Sequence, residues 1–89
     1  MQISIRSFAM VREAIGKKQI QCDVQEKSTV EDVLYYLVSQ FPNLENVLLE
    51  NGSISQRFHI MLNDEQIETY SAKLNENDVL IIIPPTGGG

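Results

Sequence analysis

The chain has 89 residues, 43% hydrophobic and 21% charged, which is the composition of one ordinary globular domain. Its formal net charge of −5 argues against nucleic acid as the main partner, since phosphate binding requires clustered lysine and arginine. No apolar run approaches the roughly 20 residues of a membrane-spanning helix, and a lone cysteine cannot form an internal disulfide, so we expect a cytoplasmic protein that binds neither membrane nor nucleic acid.

The beginning of the chain predicts a strand, a helical turn and a second strand. In "QISIRSF", Ile3 and Ile5 alternate with polar residues, as in a half-buried strand. "AMVREAIG" contains helix formers and closes on Gly16, which is typical of a helix end. "KQIQCDVQ" alternates again and predicts a strand antiparallel to the first, with Cys22 as a small core residue.

The main helix is predicted in "KSTVEDVLYYLVSQFP". Ser28 or Thr29 can cap it, and two acidic residues follow in its first turn, where they favour the positive end of the helix dipole. Pro42 ends the helix. Its apolar residues recur at three- and four-residue steps and form one stripe: Val30, Val33, Leu34, Leu37 and Phe41.

The second half predicts a shorter helix and three strands. "NLENVLLENG" is interpreted as a helical segment that runs to Gly52. "RFHIML" predicts a third strand with His59 and Met61 on one side. "NDEQ" is a turn before a brief strand at Ile67, "NEND" is another turn, and "VLIII" is the last strand before Pro84.

This order of elements predicts an α+β fold, the β-grasp or ubiquitin-like roll. One amphipathic helix covers one face of a mixed sheet of four to five strands, with a short helix beside it. We expect the β-grasp domain to occupy residues 1–85 and a flexible glycine tail to occupy residues 86–89.

The tail "PPTGGG" has chemical consequences of its own. Pro84 and Pro85 cannot donate to a strand ladder, so the sheet ends there. Four further residues can project roughly 13–14 Å, and glycines fit a channel too narrow for side chains. The terminal α-carboxylate is ionised at neutral pH and is a poor electrophile until something activates it. The alternative is a frayed chain end without function.

Several short motifs together resemble a known family. They are Phe8-Ala9 with Arg12-Glu13, Asn63 after the third strand, and Asp78 followed by an apolar strand, Pro84-Pro85 and the final glycines. In this order they resemble the ubiquitin-like sulfur carriers: the molybdopterin synthase small subunit, the thiamine-type carriers and the small archaeal modifier proteins. The resemblance covers essentially the whole chain.

The resemblance implies a carrier rather than an enzyme. An ATP-dependent, ubiquitin-activating-like enzyme would adenylate the Gly89 carboxylate, and sulfur from a persulfide would then give a thiocarboxylate. The tail residues Thr86, Gly87 and Gly88 would present that group. The acceptor would be the molybdopterin synthase large subunit or another sulfur acceptor, and the chain itself would bind no cofactor, because the partner uses the ATP.

A docking surface for these partners is expected on the open face of the sheet. The odd- and even-numbered residues of the last strand point to opposite faces of the sheet and are all apolar, yet one helix can cover only one face. The alternative is a last strand buried on both sides by loops. By resemblance we expect Leu80 and Ile82 to face outward, and the predicted interface contains Phe8, Met61, Leu80, Ile82, Pro84 and Pro85. The lone His59 and the lack of a cysteine cluster argue against a metal site.

Other functions remain open at this level. A protein modifier would use the same activated Gly89, but a target lysine would attack it and form an isopeptide bond. The sulfur could also go to tRNA thiolation or thiamine synthesis. A plain β-grasp interaction domain would tolerate deletion of Gly88 and Gly89.

Overall fold

In the computed structural model, which describes residues 1–85, the chain begins with strand β1 (Gln2–Ser7), helix α1 (Ala9–Ile15) and strand β2 (Gln19–Asp23). β1 and β2 are antiparallel, as the alternating pattern predicts. α1 ends at Gly16, whose φ of 91° lies in the left-handed region that glycine adopts without strain. Cys22 is buried in the core, as expected.

Helix α2 (Val30–Gln40) is the predicted main helix, and its beginning is closed by a reciprocal cap. The Thr29 hydroxyl accepts from the Asp32 backbone N–H at 3.2 Å, and the Asp32 carboxylate accepts from the Thr29 N–H at 2.9 Å. Val30, Val33, Leu34 and Leu37 are buried, which confirms these four residues of the predicted stripe. Phe41, the fifth, lies just beyond the last helical residue and is only partly buried against the core. The chain then enters a single 3-10 turn, Pro42–Leu44.

The predicted helix running to Gly52 is wrong beyond Leu48. Helix α3 covers only Glu45–Leu48, and strands β3 (Leu49–Glu50) and β4 (Ser53–Ile54) form a small hairpin after it. The two turn residues, Asn51 and Gly52, have φ values of 55° and 84°. Asn-Gly favours a two-residue hairpin turn because both residues tolerate positive φ, and this local preference overrides the helix formers before it.

The remaining strands are β5 (His59–Leu62), β6 (Glu65–Ile67) and β7 (Val79–Ile83). Within residues 1–85 they complete a five-stranded sheet in the order β2-β1-β7-β5-β6. β7 is parallel to β1 and antiparallel to β5, so the sheet is mixed. This arrangement confirms the α+β, β-grasp fold.

The core lies between one face of the sheet and the helices. Leu44 in the 3-10 turn and Leu48 in α3 join the buried side of α2 against the sheet. The buried strand side chains that meet them include Ile3, Ile5, Ile60, Leu80 and Ile82. The helices within residues 1–85 include none that could span a lipid bilayer.

Candidate functional site

The chain leaves the sheet from its central strand. β7 pairs with β1 on one side and with β5 on the other. Its last residue, Ile83, lies opposite His59 at the beginning of β5. Pro84 and Pro85 follow and are half-buried. Because proline cannot donate to the ladder, the strand ends here, at a point held by two neighbouring strands.

The expected orientation of β7 is wrong. Leu80 and Ile82 have no exposed surface and belong to the core. Leu80 lies directly opposite Ile5 and Leu62, and Ile82 lies opposite Ile60. Directly paired residues of neighbouring strands share a face of the sheet, and here that face is covered by the helices. Leu80 and Ile82 therefore cannot contact a partner in the folded protein.

The odd-numbered residues of β7 form an apolar stripe on the side of the sheet that the helices do not cover. Val79, Ile81 and Ile83 are only partly buried, and Met61 lies directly opposite Ile81. The polar neighbours in register with this stripe are Ser4, Arg6, His59 and Gln66. We call this surface the outer face: Val79, Ile81, Ile83 and Met61 with these four neighbours. A partly exposed apolar centre with a polar rim is typical of a protein-binding surface.

Phe8 extends the outer face at the end from which the chain leaves. It follows the last residue of β1 and is 38% exposed. The Arg12 guanidinium lies 5.4 Å from the centre of the Phe8 ring, and Arg12 Nε donates to the Ser7 carbonyl at 3.2 Å. The next residue, Ala9, has φ of 49°, which is costly for a residue with a side chain. Arg12 thus connects the Phe8 ring to the backbone at the end of β1.

Four of the predicted interface residues therefore occupy accessible or partly accessible positions near one another. Phe8, Pro84 and Pro85 lie at the end of β7, and Met61 lies on the outer face; their contact with a partner stays a prediction. The predicted tail residues lie outside the described residues: Thr86, Gly87, Gly88 and Gly89.

Sequence reasoning missed Arg6, Val79, Ile81 and Ile83 as surface residues. Alternation could not distinguish the two faces of β7, because all five of its residues are apolar. The pairing of β7 with β1 and β5 decides the orientation, and that pairing is a long-range feature. The polar residues of β1 were the usable signal, since Arg6 and its paired residue must share a face.

The described part of the chain contains neither a cluster of metal-ligating side chains nor a reactive thiol. Residues 1–85 contain no group of three or more His, Cys, Asp or Glu side chains that could hold a metal ion. His59 Nδ1 is 3.1 Å from Gln66 Nε2 on the rim of the outer face. Burial raises the pKa of the Cys22 thiol, which keeps it protonated and unreactive near neutral pH.

The sequence and the fold of this chain are similar to those of known proteins. The sequence model of the ThiS family matches residues 5–89. Small archaeal modifier protein 3 of Haloferax volcanii is 29% identical over 92 residues that cover 100% of both chains. The molybdopterin synthase sulfur carrier subunit of Arabidopsis thaliana is 32% identical over 89 residues, covering 100% of this chain and 84% of that protein. The crystal structure of SAMP1 from Haloferax volcanii superposes with a TM-score of 0.87 at 27% identity, covering 100% of both chains. The chain belongs to the ThiS family.

Proposed function

We propose that this protein is a sulfur carrier that holds sulfur as a thiocarboxylate on Gly89 and donates it to molybdopterin synthesis. The observation that carries the proposal is the position of β7. Its end is fixed by β1 and β5, and Pro84 and Pro85 take the chain out of the sheet. A rigid base followed by the sequence Thr-Gly-Gly-Gly suits a terminus that must enter the active sites of other proteins.

The proposed loading uses three partner-catalysed steps. First, a Gly89 carboxylate oxygen attacks the α-phosphorus of ATP, an O–P bond forms, and pyrophosphate leaves. Second, the terminal sulfur of a persulfide attacks the acyl carbon, a C–S bond forms and AMP leaves. A thiol of the partner then attacks the resulting acyl disulfide, taking the other sulfur into a new disulfide and releasing the thiocarboxylate. The protein is the substrate of these steps, and ATP is bound by the activating enzyme.

The outer face supports this role as the docking surface for the activating enzyme and then for the sulfur acceptor. Ile81 and Met61 supply an apolar centre, and Phe8 lies beside the base of the tail. Arg6 lies on the rim opposite Ile81 and can orient an acidic group of a partner. Binding on this face leaves the tail free to reach a separate active site. The acceptor we propose is the large subunit of a molybdopterin synthase.

A second candidate function is protein modification. The full-length similarity to small archaeal modifier protein 3 favours it. In this function a lysine amine of a target attacks the adenylated Gly89, an amide bond forms, and AMP leaves. Both functions use the same activated terminus and differ only in the nucleophile.

The test is intact-mass measurement after incubation with an activating enzyme, ATP and a persulfide donor. We expect the full-length protein to gain the mass difference between oxygen and sulfur. A variant that lacks Gly88 and Gly89 should keep the same circular dichroism spectrum and gain nothing, whereas Thr86→Ala, with the terminus intact, should still be loaded. Sulfur loading of the truncated variant would overturn the proposal.

Affinity capture from a native lysate with the intact tail then identifies the acceptor. Recovery of a molybdopterin synthase large subunit supports the first function, and lysine conjugates support the second. Recovery of a tRNA-thiolating or thiamine-synthesising enzyme alone would identify that enzyme as the sulfur acceptor instead.

A further inference from the structure

Strand β2 forms one edge of the sheet, and its outer side is open. Within residues 1–85 it pairs only with β1. The Ser7 N–H donates to the Lys18 carbonyl, and the Val24 N–H donates to the Met1 carbonyl, both within 2.9 Å. These contacts fix which β2 residues bond to β1, namely the even-numbered ones.

The odd-numbered residues of β2 therefore present their backbone groups to solvent. Gln19, Gln21 and Asp23 lie opposite Arg6, Ser4 and Gln2 as non-hydrogen-bonded pairs, so their N–H and C=O groups point away from the sheet. All three residues are exposed. Such a row of free donors and acceptors is a template for pairing with another strand.

The charges along this edge change sign from one end to the other. Lys17 and Lys18 lie at its beginning, and both are exposed. Asp23 lies at its end; one of its carboxylate oxygens is 3.2 Å from the Met1 amino group, and its side chain remains 76% exposed. An antiparallel strand with the same sequence would bring each basic end beside an acidic end. The edge is thus complementary to a second copy of itself.

A groove beside the edge adds apolar surface. It runs between the end of β2 and α2, and its lining is mixed, with three apolar or aromatic and four polar residues: Val24, Val33, Tyr36, Asp23, Gln25, Ser28 and Asp32. Tyr36 is 39% exposed although it carries a large aromatic side chain. A strand added to β2 would cover this ring and remove apolar area from water.

We propose that two copies of the protein pair through β2, antiparallel and centred on Gln21. In this register Gln21 lies opposite Gln21 of the second copy, and Gln19 lies opposite Asp23 of the second copy. Each of these pairs exchanges two backbone hydrogen bonds, and the two sheets become one. Lys17 and Lys18 immediately precede β2, so each copy brings its lysines close to Asp23 of the second copy, within reach of a long side chain.

The pairing leaves both outer faces and both ends of β7 open. Asp23 lies beside Gln2, whereas the end of β7 lies beside Ser7, at the opposite end of β1. In an antiparallel pair the two β7 strands therefore end at opposite ends of the joined sheet. Two partners could be engaged at once without contact between them.

Sedimentation velocity at increasing protein concentration tests the proposal. We expect a monomer–dimer equilibrium that high salt weakens. The variants Lys17→Glu/Lys18→Glu and Asp23→Lys/Gln25→Lys should each be monomeric, because each places like charges together at both ends of the pair. An equimolar mixture of the two should form a dimer again. The control Glu65→Lys/Glu68→Lys reverses two charges at and just beyond the opposite edge strand and should leave dimerisation unchanged.

A backbone substitution tests the strand pairing separately from charge. Gln21→Pro removes an N–H that points to solvent, so the β1 ladder is kept and the dimer is lost. Gln21→Ala is the matched control, since it also loses the contact of the Gln21 amide with Ser4 Oγ but keeps the N–H, and it should still dimerise. A wild-type protein that stays monomeric at its solubility limit would overturn the proposal, as would a dimer that resists both charge reversals and Gln21→Pro.

Discussion

The side chains of Asn63 and Asp78 connect the β5–β6 turn to the beginning of β7. Asn63 Nδ2 donates to Asp78 Oδ1 at 2.7 Å, and Asn63 Oδ1 accepts from the Val79 N–H at 2.8 Å. The second Asp78 oxygen accepts from the Asn75 N–H at 2.7 Å. Two residues that carry the family resemblance thus fix where β7 begins.

Asp78→Ala should lower the free energy of unfolding by about 2–3 kcal/mol, because Asp78 is buried and its loss leaves the Asn63 amide and the Asn75 N–H without their acceptor. Urea denaturation followed by circular dichroism measures the change. Glu68→Ala, at an exposed position, is the control and should change it by less than about 0.5 kcal/mol. An Asp78→Ala protein as stable as this control would show that the network does not hold β7.

The two faces of β7 predict opposite outcomes at neighbouring positions. Ile82→Ala should lower the free energy of unfolding by about 2–5 kcal/mol, since Ile82 is fully buried and the substitution leaves a cavity. Ile81→Glu should keep the fold and weaken capture of the activating enzyme, because Ile81 is partly exposed at the centre of the outer face. Thermal unfolding and quantitative pull-down separate the two effects. Unfolding of Ile81→Glu together with tolerance of Ile82→Ala would reverse the assignment of the faces.

The elements that sequence predicts well are those with one buried and one exposed side. Ile3 and Ile5 alternate with polar residues in β1, and the stripe of α2 repeats at helical spacing, so each pattern fixes both the element and its orientation. β7 is apolar throughout, and its orientation depends on pairing with β1 and β5. That information is distributed over residues far apart in the chain, which is why Leu80 and Ile82 were assigned to the wrong face.

The hairpin at Asn51 and Gly52 was predictable and was missed. Asn-Gly is a strong local signal for a two-residue turn. The strands on either side have only two residues each, too short for alternation to appear, and the leucines before them favour a helix. The proposed chemistry of the terminus differs in kind, because the acceptor that we propose for Gly89 is a property of other proteins and no residue of this chain encodes it.

Thr29→Ala should lower the free energy of unfolding by about 1 kcal/mol, because it removes the hydroxyl that accepts from the Asp32 N–H at the beginning of α2. Chemical denaturation measures the difference. Gln40→Ala, at the exposed last residue of the same helix, serves as the control and should be close to neutral. An equal loss in both variants would mean that the cap contributes nothing.

Alkaline pH should destabilise the protein partly through Tyr70. Its hydroxyl donates to the Phe58 carbonyl at 2.6 Å, and burial raises the pKa of Tyr70 above its ordinary value. As the pH rises, the unfolded chain therefore releases this proton before the folded chain does. The contribution of Tyr70 to the free energy of unfolding is fully present below about pH 10 and is lost as the pH rises further. Tyr70→Phe should be about 1 kcal/mol less stable at neutral pH, from the lost hydrogen bond, but should lose stability less steeply above pH 10. Tyr36→Phe, at an exposed position, is the control. Its free energy of unfolding, measured by urea denaturation at each pH, should change with pH as steeply as that of the wild type. Identical alkaline slopes for the wild type and Tyr70→Phe would contradict this assignment.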